Sequence, residues 1–177
     1  SVRVFGVAVK NNKSGMRKRN GIGIFAQAFK ERFPEVPTED EGRLNDKGIR
    51  ENFLERVYAH YRWRQIDISH NPLQSFRNFH KNYKLMLMAK DNSAYRQLGR
   101  IAASVNKNNF AEIRQEYFRL FMQAMSKIPS HGHHVNVMMH ILGYLKDHLN
   151  KKDKVELLQW FETYRENRVT RITPLML

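Results

Sequence analysis

Basic side chains recur at helical spacing in the middle of this 177-residue chain. Residues 71–111 contain seven Lys or Arg residues and a single acid, Asp91. Five of these cations fall on two successive predicted helices: Arg77, Lys81, Lys84, Arg96 and Arg100. Such an excess of cations supplies the sequence-independent part of nucleic-acid binding, because each cation neutralises a phosphate and releases its counterion. The pattern predicts a two-helix surface that binds a polyanion, and its alternative is a solvated face without a ligand.

Aromatic side chains lie among these cations, and rings in such positions can stack on unpaired bases. His80 precedes Lys81 and is assigned to the predicted binding surface. Tyr83 is a weaker candidate, because it keeps the helical period of Phe76 and Phe79 and is therefore expected in the core.

A polar stripe is predicted on a later helix, where Asn136, His140 and Tyr144 recur every four residues. Apolar residues occupy the opposite side of that helix. The stripe is interpreted either as a contact surface or as a buried hydrogen-bond network.

Histidines are dense in the same region and raise the question of a metal site. They are His131, His133, His134, His140 and His148. Metal ligands on one helix favour a spacing of four residues, whereas His134 and His140 are six apart with no acid between them. We therefore predict no metal site in this chain.

Two polar loops near the start of the chain are further candidates. The segment Lys10–Arg19 has five cations and no acid, so it is either a linker or a loop that contacts phosphate through Lys18 and Arg19. The acids at positions 39–41 suggest general acid–base chemistry, but they adjoin Gly42 and are expected to be a solvated turn.

Composition narrows the class of protein. The net charge is +14, and residues 71–177 carry most of it, with 17 bases and 8 acids against 14 and 9 in residues 1–70. The absence of cysteine excludes disulfides, thiolate nucleophiles and thiolate-bound clusters from this chain. The excess of cations favours nucleic acid as the partner, with an acidic membrane surface as the second possibility. No apolar run approaches the roughly 20 residues that a membrane helix needs, so we expect a cytoplasmic protein and assign it no membrane partner.

Helical periodicity predicts a mainly α protein, an antiparallel helical bundle preceded by a small, mostly helical segment with one short strand at Val2–Val9. Asn45 or Asp46 is expected to cap a helix that runs to about Trp63. Capping boxes are predicted at Asn71 with Gln74 and at Asn109 with Glu112. The predicted helices span about 24–33, 46–63, 72–89, 93–106, 110–128, 134–149 and 153–166. The predicted domains are residues 1–68 and 69–177.

The first domain resembles the C-terminal part of the thiouracil-desulfidase-like family. The resemblance covers about residues 1–66 and is carried by four segments: Gly21–Ala26, Glu31–Pro34, Glu41–Asp46 and Arg50–Val57. The second domain resembles the helical YbgA-type domain that often follows it, through Phe79–Ala89, Tyr95–Arg100 and His134–Tyr144.

Two-part proteins of this kind resemble bacterial tRNA 4-thiouridine desulfidases. The resemblance implies an iron–sulfur cluster in a preceding catalytic part and tRNA as the partner of the YbgA-type part. Because this chain has no cysteine, no cluster ligand is transferred to it and no cofactor is expected in it. The chain lacks an initiator Met and stops within the family's Pro-Leu-x-Leu stretch, so we expect a non-catalytic portion of a longer protein.

Two alternatives stay open at this point. A helical module for an acidic protein partner would use the same excess of cations. An intact hydrolase would use residues 39–41 together with the histidines.

Overall fold

The computed structural model describes residues 23–176, and within that range the chain is helical and contains no strand. Its seven α-helices are α1 (Ile24–Arg32), α2 (Lys47–Asp67), α3 (Pro72–Lys90), α4 (Asn92–Ser104), α5 (Phe110–Met125), α6 (His131–Leu145) and α7 (Lys151–Arg165). Two 3-10 helices, Arg43–Asn45 and Thr173–Leu175, also occur there. The prediction of a mainly α helical bundle is confirmed. The predicted strand at Val2–Val9 and the loop with Lys18 and Arg19 lie outside the described residues.

Polar side chains fix where the helices begin. The Asp46 carboxylate accepts from the Ile49 N–H at 2.9 Å, and the Asn71 side chain accepts from the Gln74 N–H at 3.2 Å. Each bond satisfies a backbone donor that the first helical turn leaves unpaired. Pro72 occupies the first position of α3, where its missing N–H costs nothing.

Neither predicted capping box forms. At α3 the Gln74 side chain donates to Asn78 instead of returning to the cap. At α5 the side chain of Asn109 makes no cap bond, because it accepts from the Asn106 N–H and donates to the Ser104 carbonyl. The α4–α5 loop thus uses the Asn109 side chain for its own closure.

Several predicted helix ends were also wrong. Helix α2 continues four residues past Trp63 to Asp67, because Ile66 is also buried in the core. Helix α6 begins three residues early, at His131, since Ser130 accepts from the His133 N–H at 3.3 Å. Helix α5 ends at Met125 rather than near residue 128.

The main core is aromatic and is shared by α2, α3, α4 and α5. The Trp63 ring of α2 stacks on Phe118 of α5, with centroids 4.6 Å apart, and meets the edge of Phe79 of α3 at 5.1 Å. Aromatic pairs add about 0.5–1.5 kcal/mol each beyond the area they bury. Helix α2 precedes the predicted boundary at residues 68 and 69, yet it supplies this central ring; the boundary stays a prediction.

A smaller core lies between α6 and α7, around Met138, Phe161 and Tyr164. Helix α6 also packs on α3, so this core adjoins the main one. None of the helices in residues 23–176 combines the length and apolar character needed to cross a membrane.

Candidate functional site

The predicted basic surface lies on a hairpin formed by α3 and α4. Asp91 makes the tight corner: it ends α3, and its carboxylate accepts from the N–H groups of Ser93 and Ala94 at 3.0 Å each. The same carboxylate pairs with Lys127 at 2.5 Å. Both interactions hold the pKa of Asp91 below its usual range, the Lys127 hydrogen bond being the larger cause. The only acid of this region is therefore occupied at the corner.

Arg77 sets the register of the hairpin. Its guanidinium donates to the carbonyl of Val105, the residue that ends α4, at 3.2 Å. A cation at this position also interacts favourably with the negative end of the α4 helix dipole. Lys81 and Lys84 follow Arg77 on α3, and Arg96 and Arg100 precede Val105 on α4, so this contact ties together the two helices that carry these cations.

The remaining four cations of the surface form no ion pair with any described residue. Lys81, Arg96 and Arg100 are exposed, and Lys84 is partly exposed. Among residues 23–176, none of these four has an acidic partner within 4.0 Å. Lysines and arginines without partners keep their charge available to an external anion.

His80 lies at the edge of the main core rather than fully on the surface. Its Nδ1 is 2.9 Å from the hydroxyl of the buried Tyr117 of α5. Burial lowers the pKa of His80, and Lys84 lowers it further, whereas burial raises the pKa of Tyr117. One ring nitrogen of His80 is therefore occupied by Tyr117, while the half-buried ring lies at the edge of the basic surface. Tyr83 is 4% exposed, which confirms its predicted place in the core.

The polar stripe of α6 is exposed, so the alternative of a buried network is wrong. Asn136 and His140 are exposed, and Tyr144 retains 61% of its surface. The His140 Nε2 and the Tyr144 hydroxyl are 3.0 Å apart, one helical turn from each other. No hydrogen bond in the described part of the chain joins this stripe to the cations of α3 and α4.

The acids at positions 39–41 stabilise a turn. Glu39 pairs with Arg43 at 2.9 Å, and the Asp40 carboxylate accepts from the Gly42 N–H at 2.8 Å. Within residues 23–176 neither acid bonds to a histidine, so the structure does not assemble the group that the hydrolase alternative requires.

A second polar group, which the sequence analysis missed, lies between the two cores. Lys90 and Glu55 pair at 2.9 Å, and Arg171 joins the other oxygen of Glu55 at 3.2 Å. Arg171 also contacts the His134 Nε2 at 3.3 Å, and the His134 Nδ1 is 2.6 Å from the Tyr164 hydroxyl. The network connects α2, α3, α6, α7 and the segment after α7. It borders a cleft of about 970 Å³.

The electrostatics of this network are strongly perturbed. Burial acts to raise the pKa of Glu55, but Lys90 and then Arg171 outweigh it and hold the pKa below its usual value. Burial, with help from Arg171, lowers the pKa of His134 to about 4. Groups with shifted pKa values in a cleft are typical of functional sites, although structural ion pairs shift pKa values too.

Comparison with known proteins gives a family. The model of "Protein of unknown function (DUF1722)" matches residues 84–177, more than half of the chain. The chain belongs to the DUF1722 family. It is also similar to the "Uncharacterized protein YbgA" of Escherichia coli (strain K12), with 23% identity over 134 residues, 75% of this chain and 79% of that protein. No solved structure matches the chain.

The DUF1722 match begins inside α3. The matched segment therefore includes only some residues of the basic surface and of the polar network. It includes Lys84, Arg96 and Arg100 but not Arg77 or Lys81. In the cleft, the DUF1722 segment supplies every member of the polar network except Glu55, which comes from α2.

The residues of this DUF1722 protein do not fit the iron–sulfur cluster that the resemblance implies for the longer protein. The chain offers no thiolate, the usual cluster ligand. Among the residues that the structure describes, no three His, Asp or Glu side chains are grouped to hold a metal ion.

Proposed function

We propose that this chain is the tRNA-binding, non-catalytic portion of a tRNA 4-thiouridine desulfidase. The observation that carries the proposal is the set of four cations on α3 and α4 that have no acidic partner among residues 23–176. In this account Lys81, Lys84, Arg96 and Arg100 contact the phosphate backbone, and Arg77 fixes the helices that present them. The desulfidase context rests on the resemblance of residues 1–66, and sulfur removal belongs to the part of that protein that this chain lacks.

Phosphate contacts give affinity without sequence specificity, so a second set of residues has to read the RNA. His80 at the border of the surface offers a ring, and Asn136, His140 and Tyr144 offer exposed amide and aromatic groups. Exposed aromatic rings stack on unpaired bases, which are the sequence-specific targets in RNA. Lys18 and Arg19 would add contacts to the incoming strand; replacing both with alanine should then weaken tRNA binding.

The test is a fluorescence titration of the purified chain at two salt concentrations. The ligands are tRNA that carries 4-thiouridine, unmodified tRNA and duplex DNA. We expect a preference for tRNA, and an affinity that falls log-linearly with salt, with a slope of about −0.7 to −0.9 for each neutralised phosphate. Equal, weak binding to all three ligands would contradict the proposal.

A second candidate is a helical module that binds a protein partner, which one feature of α2 favours. Leu54, Val57, Tyr58 and Tyr61 recur along one face of α2 and are 47%, 38%, 60% and 60% exposed. An exposed apolar stripe of this kind is typical of protein contacts. Binding dominated by that stripe would change little with salt, whereas tRNA binding would weaken steeply.

A further inference from the structure

The cleft between the two cores has one apolar and one polar side. Its apolar side includes Leu85, Met86, Val137, Met138, Ile141 and Ile172. The polar side consists of the network around Lys90, Glu55, Arg171, His134 and Tyr164. A concave, largely apolar space of several hundred Å³ with a few converging polar groups is the usual form of a small-molecule site.

The hydrogen bonds of the network leave a donor unused. A guanidinium can only donate, so the His134 Nε2 accepts from Arg171 and the ring proton lies on Nδ1. That N–H donates to the Tyr164 oxygen at 2.6 Å. The hydroxyl hydrogen of Tyr164 then needs an acceptor, and none is present among residues 23–176.

Lys90 belongs to the interior of the network rather than to the surface of the cleft. Its ammonium donates to Glu55 at 2.9 Å and to the Lys127 carbonyl at 3.3 Å, which occupies two of its three hydrogens. The side chain is only 1% exposed, so neither water nor a ligand reaches the third hydrogen, and the accessible cation of the network is Arg171, at 38% exposed.

The charged residues that line the cleft also favour a ligand that is negatively charged and accepts hydrogen bonds. Four are cations and two are acids: Lys47, Lys90, Arg168 and Arg171 against Glu51 and Glu55. Both acids already interact with Arg171, Glu55 at 3.2 Å and Glu51 at 3.9 Å. Because Glu166 pairs with Arg168, the excess in the cleft is one positive charge, and it lies beside the unused Tyr164 donor and an apolar wall.

We propose that this cleft binds a small carboxylic acid anion with an apolar body. Its carboxylate accepts from the Tyr164 hydroxyl and from the Arg171 guanidinium, which lines the cleft and is 38% exposed, and its body packs between α3 and α6 against residues such as Met86 and Ile141. A single negative charge matches the site, because Glu55 would repel a dianion more strongly. The site is separate from the cations of α3 and α4 and needs no RNA.

The experiment titrates the full chain, without RNA, with three probes of one chain length: octanoate, octan-1-ol and octylammonium. Calorimetry should show that octanoate binds at least about tenfold more tightly than the other two, because hydrogen bonds to charged groups are the stronger ones. Equal affinity for octanoate and octylammonium, or no octanoate binding at millimolar concentration, would overturn the proposal.

Two variants locate the ligand. Tyr164→Phe keeps the ring in the core and removes the hydroxyl, so octanoate affinity should fall by about tenfold while octylammonium binding is unchanged. Ile141→Trp fills the apolar side of the cleft. It should weaken octanoate binding while it leaves the polar network intact. Leu158→Trp, at a residue of α7 that is 42% exposed and does not line the cleft, is the matched control. Unchanged octanoate affinity in both cleft variants would also overturn the proposal.

Discussion

The Nζ of Lys90 lies 2.9 Å from the Oε2 of Glu55, and this pair joins α3 to α2 with the lysine side chain only 1% exposed. Removing a charge from water is expensive unless a partner of opposite charge and further hydrogen bonds replace the lost hydration. Here Glu55 and the Lys127 carbonyl replace it, and Arg171 completes the shell of Glu55.

Lys90→Met tests the contribution of this pair. The substitution leaves the carboxylate of Glu55 partly buried and paired with Arg171 alone among residues 23–176. We expect the free energy of unfolding, measured in urea, to fall by about 3 kcal/mol. Lys84→Met is the control on the same helix. It should change the free energy of unfolding by no more than about 0.5 kcal/mol, since Lys84 has no ion-pair partner among residues 23–176. Similar losses in both variants would contradict a stabilising role for the pair.

His134 gives the chain a predictable pH dependence. Its pKa is lowered to about 4, so between pH 6.5 and about 4 the unfolded chain binds a proton that the folded chain does not. Stability must therefore fall as the pH falls through this window. Arg171, Lys90 and His131 oppose the protonated ring, and Glu55 favours it.

The measurement is urea unfolding at several pH values from 7 to 4.5 for the native sequence and for His134→Gln. The native chain should lose stability more steeply, because the glutamine does not titrate. His133→Gln, at an exposed position of the same helix, is the matched control for the substitution. Parallel curves for the native chain and His134→Gln would refute this assignment.

Trp63 should be essential to the main core although it precedes the predicted domain boundary. Trp63→Ala removes a ring that packs on Phe79 and Phe118, and we expect a loss of about 3–5 kcal/mol. Tyr61→Ala, at a residue of α2 that is 60% exposed, should cost far less.

A chain that begins at residue 69 should likewise lose its cooperative thermal transition. Cooperative unfolding of that shorter chain would instead support an independent second domain.

The helices were predictable because apolar periodicity and caps are local signals. Asp46, Asn71 and Pro72 begin helices as expected, while the ends depend on tertiary contacts such as the burial of Ile66. Asn109 shows the limit of local reasoning: its side chain has several possible backbone partners, and the loop geometry decides among them.

The cleft was not predictable in the same way, because its members are far apart in sequence. Arg171 and Glu55 are separated by 116 positions. One signal was available: Lys90 continues the seven-residue spacing of Phe76 and Tyr83, so a lysine occupies a core position of α3. A charged residue at a core position predicts a buried partner but does not identify it.

The central claim, that α3 and α4 bind tRNA through their cations, is tested most directly by a matched pair of charge reversals. Lys81→Glu/Lys84→Glu changes the basic surface, and Lys151→Glu/Lys152→Glu makes the same change in net charge at exposed positions of α7. At moderate salt we expect the first double variant to lose at least about tenfold in tRNA affinity and about two units of salt slope, and the second to lose much less. Equal losses in the two variants would mean that only the net charge matters, and would contradict the account.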